Sequence, residues 1–135
     1  MPADKPGAGN APVCPCGGAS YASCCEPYHR GAAPATAETL MRARYSAYVL
    51  GVLDFVHRTW HERTRPSLAE LERKETGKWL GLEVRRHAAL QDQASVEFVA
   101  RYKIDGRAHR LHEVSRFVRE QGQWFYMDGS FPERK

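Results

Sequence analysis

Apolar positions along the chain follow two periods, and the change between them falls after Gly77. Between Ala37 and Leu50 the residues Leu40, Met41, Ala47 and Tyr48 recur at helical spacing, with Arg44 on the same stripe. Thr36 is a good N-cap for this helix and Gly51 its stop. A shorter helix is predicted from Val52 to Trp60, carrying Leu53, Val56 and Trp60 on one stripe. Ser67-x-x-Glu70 reads as a capping box that opens a third helix near Leu68 to Lys74. Beyond Gly77 the alternation is that of strands: Leu80, Leu82 and Val84, then Val96, Phe98, Ala100, Tyr102 and Ile104. Asp105-Gly106 is a two-residue hairpin signal leading into a strand from about Arg107 to Arg119. Gln121-Gly122 makes another turn before a last strand from Trp124 to Asp128. Helices followed by an antiparallel meander define an α+β class. Helices packed on one face of such a sheet can curve it into a cone with a pocket inside.

The segment before the first helix has a different chemistry. All four cysteines of the chain fall between Cys14 and Cys25, as Cys14-Pro15-Cys16 and Cys24-Cys25. A closed set of four thiolates suits a tetrahedral Zn²⁺ with sulfurs at about 2.3 Å. Cys14 and Cys16 can converge across a tight turn in which Gly17 and Gly18 supply positive φ, and the intervening chain returns Cys24 and Cys25 to the far side of the ion. His29 is close enough in sequence to replace one thiolate as a variant ligand. A closed site leaves no position for substrate, so the zinc is expected to be structural, holding a segment too small to fold by burial alone. A disulfide or a redox thiol is the competing reading, and clustering of four cysteines weighs against it.

Composition changes this picture little. At 135 residues, with 42% hydrophobic and 27% charged residues, the chain has the make-up of a soluble domain. Its longest apolar run, about Tyr45 to Leu53, is too short to span a bilayer. Residues 1–11 hold Pro, Gly and Ala with no apolar signal region, and read as a disordered tail of a cytoplasmic protein. The knuckle then occupies 12–30, and after the linker Arg30 to Ala35 the α+β domain runs over 36–135. Four thiolates and a Zn²⁺ lower the formal charge of +4 to about +2, and the basic residues are scattered. A nucleic-acid partner is therefore the weakest expectation, and a membrane is not expected.

An ordered series of segments resembles the YchJ-like family of small bacterial proteins. It comprises Cys14-Pro15-Cys16-Gly17, Cys24-Cys25, Leu40-Met41-Arg42-Ala43-Arg44-Tyr45-Ser46-Ala47-Tyr48 and Thr59-Trp60-His61. Trp79-Leu80-Gly81-Leu82, Phe98-Val99-Ala100-Arg101-Tyr102, Glu113-x-Ser115-Arg116-Phe117 and Trp124-x-Tyr126-x-Asp128-Gly129 continue it. That family pairs a SEC-C zinc motif with a domain like nuclear transport factor 2, so the resemblance implies a zinc knuckle followed by a cone of helices on a curved antiparallel sheet. It implies no particular reaction. SEC-C motifs usually hold about eight residues between the second cysteine and the Cys-Cys pair, and this chain holds seven, which shortens the loop without removing a ligand. In the secretion motor ATPase that names the motif, it serves binding to a chaperone and to ribosomes.

Two functions are therefore expected. One is a binding module, with a protein or ribonucleoprotein docked on the knuckle, a small ligand held in the cone, or both. The alternative is a cone-pocket enzyme doing acid–base chemistry on a small hydrophobic substrate. The polar pocket candidates are Arg42, Arg44, Tyr45, His61, Glu113, Arg116, Tyr126 and Asp128, with His61 and Asp128 as a possible proton-transfer pair. Each also has a structural reading. Glu113 and Arg116 can form an ion pair, Arg44 can stack on Trp60, Asp128-Gly129 can form a turn, and His61 can close a helix end.

Overall fold

A computed structural model describes residues 12–73 and 77–132 of the chain. The expected tail over 1–11, Lys74 of the third helix and the end of the 36–135 domain lie outside the described residues. The elements run 3₁₀ turn (Tyr21–Ser23), α1 (Glu26–His29), α2 (Ala37–Leu50), α3 (Leu53–Arg58), α4 (Leu68–Arg73), β1 (Lys78–Leu90), β2 (Gln93–Ile104), β3 (Arg107–Glu120) and β4 (Gln123–Ser130). This is the α+β order that the change of period predicts.

Local chemistry sets the helix ends. Thr36 accepts a hydrogen bond from the Thr39 backbone N–H at 3.1 Å, and Gly51 turns the chain out of α2 with φ +77°. The capping box closes in both directions at α4. Ser67 N–H donates to Glu70 at 2.9 Å and Glu70 N–H to the Ser67 hydroxyl at 3.1 Å. α3 is shorter than expected, because Thr59 leaves the helix and Trp60 forms a parallel bridge to Tyr126 on β4. Tyr126 N–H donates to Thr59 O at 2.9 Å and His61 N–H to Tyr126 O at 2.7 Å, so the chain after α3 covers the edge of the sheet.

The sheet is a four-stranded antiparallel meander in the order β1-β2-β3-β4. Its first hairpin is not signalled in the sequence. β1 continues to Leu90 and reverses over Gln91-Asp92, where Gln91 has φ +56° without a glycine to favour it. Tertiary contacts hold that turn. Arg119 on β3 donates from its backbone to Asp92 O at 2.8 Å, and from its guanidinium to the Asp92 carboxylate and Gln91 O. Register shifts at Trp79/Gly81 and Val84/Arg86 on β1 and at Arg116/Phe117 on β3 bend the sheet. Its concave face presents Phe98, Ala100 and Tyr102 beside Leu111, Glu113, Ser115 and Phe117, and α2 lies across it.

Cys14, Cys16 and Cys25 are buried in the same cluster as Leu40, Phe55, Val96, Phe117 and Trp124. The indole N–H of Trp124 donates to Ala35 O at 3.3 Å, which pins the end of the linker to the sheet.

Candidate functional site

The two sides of α2 face two different sites, and its 3.6-residue period decides which residue serves which. Met41, Arg44, Tyr45 and Tyr48 form one stripe and line a cavity between α2 and the sheet. Arg42, Ala43 and Ser46 lie on the other side and hold the cysteine knuckle.

In the knuckle the sulfurs of Cys14, Cys16, Cys24 and Cys25 all lie within 4.8 Å of one another, a group that can hold a metal ion. Cys16 is 3.6 Å from Cys24 and 3.7 Å from Cys25, and Cys24 is 3.9 Å from Cys25. Gly17 supplies the positive φ of the turn (+107°), as expected, but Gly18 acts by space. A Cβ there would lie 2.6 Å from the Cys24 sulfur. The buried Ser46 hydroxyl reaches Cys25 at 3.3 Å and Cys14 at 3.4 Å, an outer hydrogen bond of the kind that orients metal-binding thiolates. Without a cation the four groups cannot all ionise. Hydrogen bonding from Cys25 pulls the Cys16 thiol down to about 4, while burial and the Cys16 charge push Cys24 up to about 11. Cys25 is pushed up by its bond to Cys16 and by burial.

His29 is not among these ligands. Its Nε2–H donates to Ala43 O at 2.8 Å, which leaves Nδ1 to accept from the Tyr21 hydroxyl at 2.7 Å, so both ring nitrogens are engaged. Its ring packs on Phe55 with centroids 4.7 Å apart. Arg42 donates to Cys16 O at 3.2 Å and pairs with Glu38, so its side chain braces the knuckle and does not line the cavity.

The cavity has a volume of about 400 Å³. Its walls are mainly aromatic, from Tyr45, Tyr48, Trp60, Trp79, Phe98, Tyr102, Phe117 and Tyr126. Four of the eight polar candidates meet there: Arg44, Tyr45, Glu113 and Tyr126. The Arg44 guanidinium carbon, Cζ, lies over the Trp60 ring, 5.1 Å from its centre, and over the Tyr126 ring at 4.5 Å. Burial pulls its guanidinium down from the ordinary value. The Glu113 carboxylate accepts from the Tyr126 hydroxyl at 2.9 Å and from Ser115 at 2.8 Å. Burial and the Glu113 charge push the Tyr126 phenol up, so it stays protonated and donates. The Trp79 indole N–H has no acceptor among the described residues.

The other candidates lie elsewhere. The Glu113–Arg116 pair does not form, because adjacent strand parity sends the two side chains to opposite faces. Arg116 instead makes a two-pronged pair with Asp128 at 2.8 and 2.7 Å on the exposed face, holding that carboxyl below its usual range. Asp128 and Gly129 belong to β4 and do not form a turn. His61 is buried but points away from the cavity, bonded to Glu120 at 2.8 Å and accepting from Arg63 N–H at 3.1 Å. It therefore cannot pair with Asp128. Removing the exposed ion pair by Arg116→Ala is expected to cost no more than about 1 kcal/mol in chemical denaturation.

Three contributors were missed in sequence. Tyr48 follows Arg44 by four residues and Ser115 follows Glu113 by two, so helix and strand periods could have placed both in the cavity. No pattern marks Ser46, a small polar residue buried against the knuckle.

The fold and the two sites define a cone of the nuclear transport factor 2 class carrying a four-cysteine knuckle, and comparison with known proteins agrees. Residues 36–129 match the family described as YchJ, middle NTF2-like domain. A UPF0225 protein from Ralstonia nicotianae is 54% identical over 144 residues, covering 96% of this chain and 95% of its own. Another from Methylibium petroleiphilum is 56% identical, covering 92% and 93%. The solution structure of a SEC-C motif containing protein from Rhodopseudomonas palustris superposes with a TM-score of 0.79 at 30% identity, over 89% of this chain and 98% of that one. The crystal structure of a SEC-C motif containing protein from Psychrobacter arcticus gives 0.76 at 32% identity, over 91% and 84%. The chain belongs to the YchJ-like family of UPF0225 proteins. Among the described residues, no helix is long and apolar enough to cross a membrane.

Proposed function

We propose that this is a zinc-stabilised binding protein whose cone cavity takes a small ligand, with Cys14, Cys16, Cys24 and Cys25 holding the zinc. The cavity carries the reading. It is within the size of small-molecule sites, its walls are aromatic, and its two charged groups, Arg44 and Glu113, are fixed by hydrogen bonds to the protein. Zinc is supported by spacing. A tetrahedron of sulfurs about 2.3 Å from an ion has edges of about 3.8 Å, and the sulfurs of Cys16, Cys24 and Cys25 lie 3.6 to 3.9 Å from one another. Four thiolates close the coordination, so the bound ion supplies stability and no reaction chemistry. Free thiols suit a reducing compartment, and we place the protein in the cytoplasm on that ground. Cys14, Cys16 and Cys25 are turned inward against α2, which favours the cavity over the knuckle as the binding element.

One observation favours a second reading, the acid–base enzyme. Glu113 is a carboxylate held in the cavity beside a protonated phenol, an arrangement that can take up a proton from a bound substrate. Native mass spectrometry of the full chain, before and after incubation with a small-molecule extract, separates the readings. The expected result is one zinc per chain and a retained small molecule released unchanged. Metal-free chain with oxidised thiols overturns the zinc assignment. No retained molecule overturns the ligand assignment, and the appearance of a product mass selects the enzyme.

A further inference from the structure

The polar end of the cavity is chemically incomplete, and what it lacks defines a ligand. Arg44 has only 6% of its surface exposed. Its Nη1 group is satisfied, donating to Val56 O and to Thr59 Oγ1, each at 2.9 Å. Its carbon Cζ lies over the rings of Trp60 and Tyr126, which meet edge to face 5.0 Å apart. The remaining edge of the guanidinium, Nε–H and Nη2–H, meets no acceptor among the described residues, and none of their carboxylates lies within ion-pair distance. That edge is the fork that grips a carboxylate with two parallel hydrogen bonds. The three N–H donors of that edge are open to the cavity, where an acceptor on a ligand can meet them.

Glu113 is unfinished in the complementary sense. With 7% of its surface exposed, its Oε2 takes both hydrogen bonds, from Tyr126 and Ser115, while Oε1 receives none among the described residues. Arg44 and Glu113 both contact Tyr126 yet do not pair with each other, so one small polar head can touch both.

Resting on the cavity-binding reading above, we propose that the cone takes an aromatic carboxylic acid bearing an adjacent hydrogen-bond donor, a hydroxyl or an amine. The carboxylate lies on the Nε–Nη2 edge of Arg44, and the neighbouring donor on Glu113 Oε1. The flat body extends between Tyr45, Phe98 and Trp79, where ring faces offer contact area at low entropic cost.

The test is an NMR titration of the full-length, metal-loaded chain with 3-phenyllactate, its methyl ester and 3-phenylpropionate, following the Arg44 Nε–H and the tryptophan indole N–H signals. Phenyllactate is expected to shift the Arg44 signal saturably, with the ester about ten- to a hundredfold weaker. Phenylpropionate, lacking the hydroxyl, is expected to fall between them. In Arg44→Gln the acid and ester are expected to bind alike. In Glu113→Gln the preference for phenyllactate over phenylpropionate is expected to vanish. The comparison of acid with ester needs only the unaltered chain, so it decides even if Arg44→Gln fails to fold. Equal binding of acid and ester overturns the Arg44 anchor and leaves the cavity reading standing. Equal binding of the two acids overturns the Glu113 part. No shift from any probe at millimolar concentration overturns both.

Discussion

Treating the chain with a strong metal chelator is expected to lower the melting midpoint of the whole chain in a single transition, by roughly 10–20 °C. The size follows from where the knuckle sits. Cys14, Cys16 and Cys25 are buried in the same cluster as α2 and the sheet, and the ring of His29 lies against Phe55, which is fully buried. Ser46 and Ala43 on α2 bond the knuckle directly, and Arg58 on α3 donates to His29 O at 3.0 Å. With no ion, sulfurs 3.6 to 3.9 Å apart have no common partner, and the loop is left to its hydrogen bonds with α2 and α3. Loss of the knuckle then uncovers one side of α2, whose other side lines the cavity. Circular dichroism melts with and without chelator check this. A sheet that melts at the same temperature in both would mean that the knuckle is thermally independent of the cone.

The same geometry explains how much was legible beforehand. The bounds of α2 follow from Thr36 and Gly51, because caps act within one turn and leave a mark in the sequence. The turn at Gln91-Asp92 leaves none, since it is held by Arg119 from a strand more than twenty residues away. The four-cysteine group was legible for a chemical reason: few other uses gather so many thiols in so short a segment. The cavity was half legible. Arg44 and Tyr45 share a stripe with Met41 and Tyr48, but Arg42, two residues away, lies about 160° around the helix and faces the knuckle. Arg116 and Asp128 were misplaced for the strand version of that reason. They stand across from each other in the β3–β4 register, on the face away from α2.

Gly129→Ala is expected to destabilise the fold by about 2–4 kcal/mol, a large effect for adding one methyl group. Gly129 has no positive φ to protect, and its role is spatial. A Cβ there would fall on the Glu113 carboxylate and lie 2.7 Å from its Cδ. The surrounding residues draw the two segments Glu113-x-Ser115-Arg116-Phe117 and Trp124-x-Tyr126-x-Asp128-Gly129 into one unit. Ser115 pairs with Gly129, and Arg116 with Asp128 on the outer face. Phe117 pairs with Tyr126, whose hydroxyl reaches back to Glu113. The missing side chain at Gly129 is the space in which that carboxylate lies. An alanine there must expel Glu113 from its bonds to Tyr126 and Ser115, or part β3 from β4. Removing the carboxylate removes the conflict, so Glu113→Ala combined with Gly129→Ala is expected to be more stable than the Gly129→Ala single variant. Urea denaturation of the two single variants and the double variant measures this coupling. A Gly129→Ala cost below about 0.5 kcal/mol would mean that Glu113 moves aside freely, and that its carboxylate is not fixed at the cavity wall.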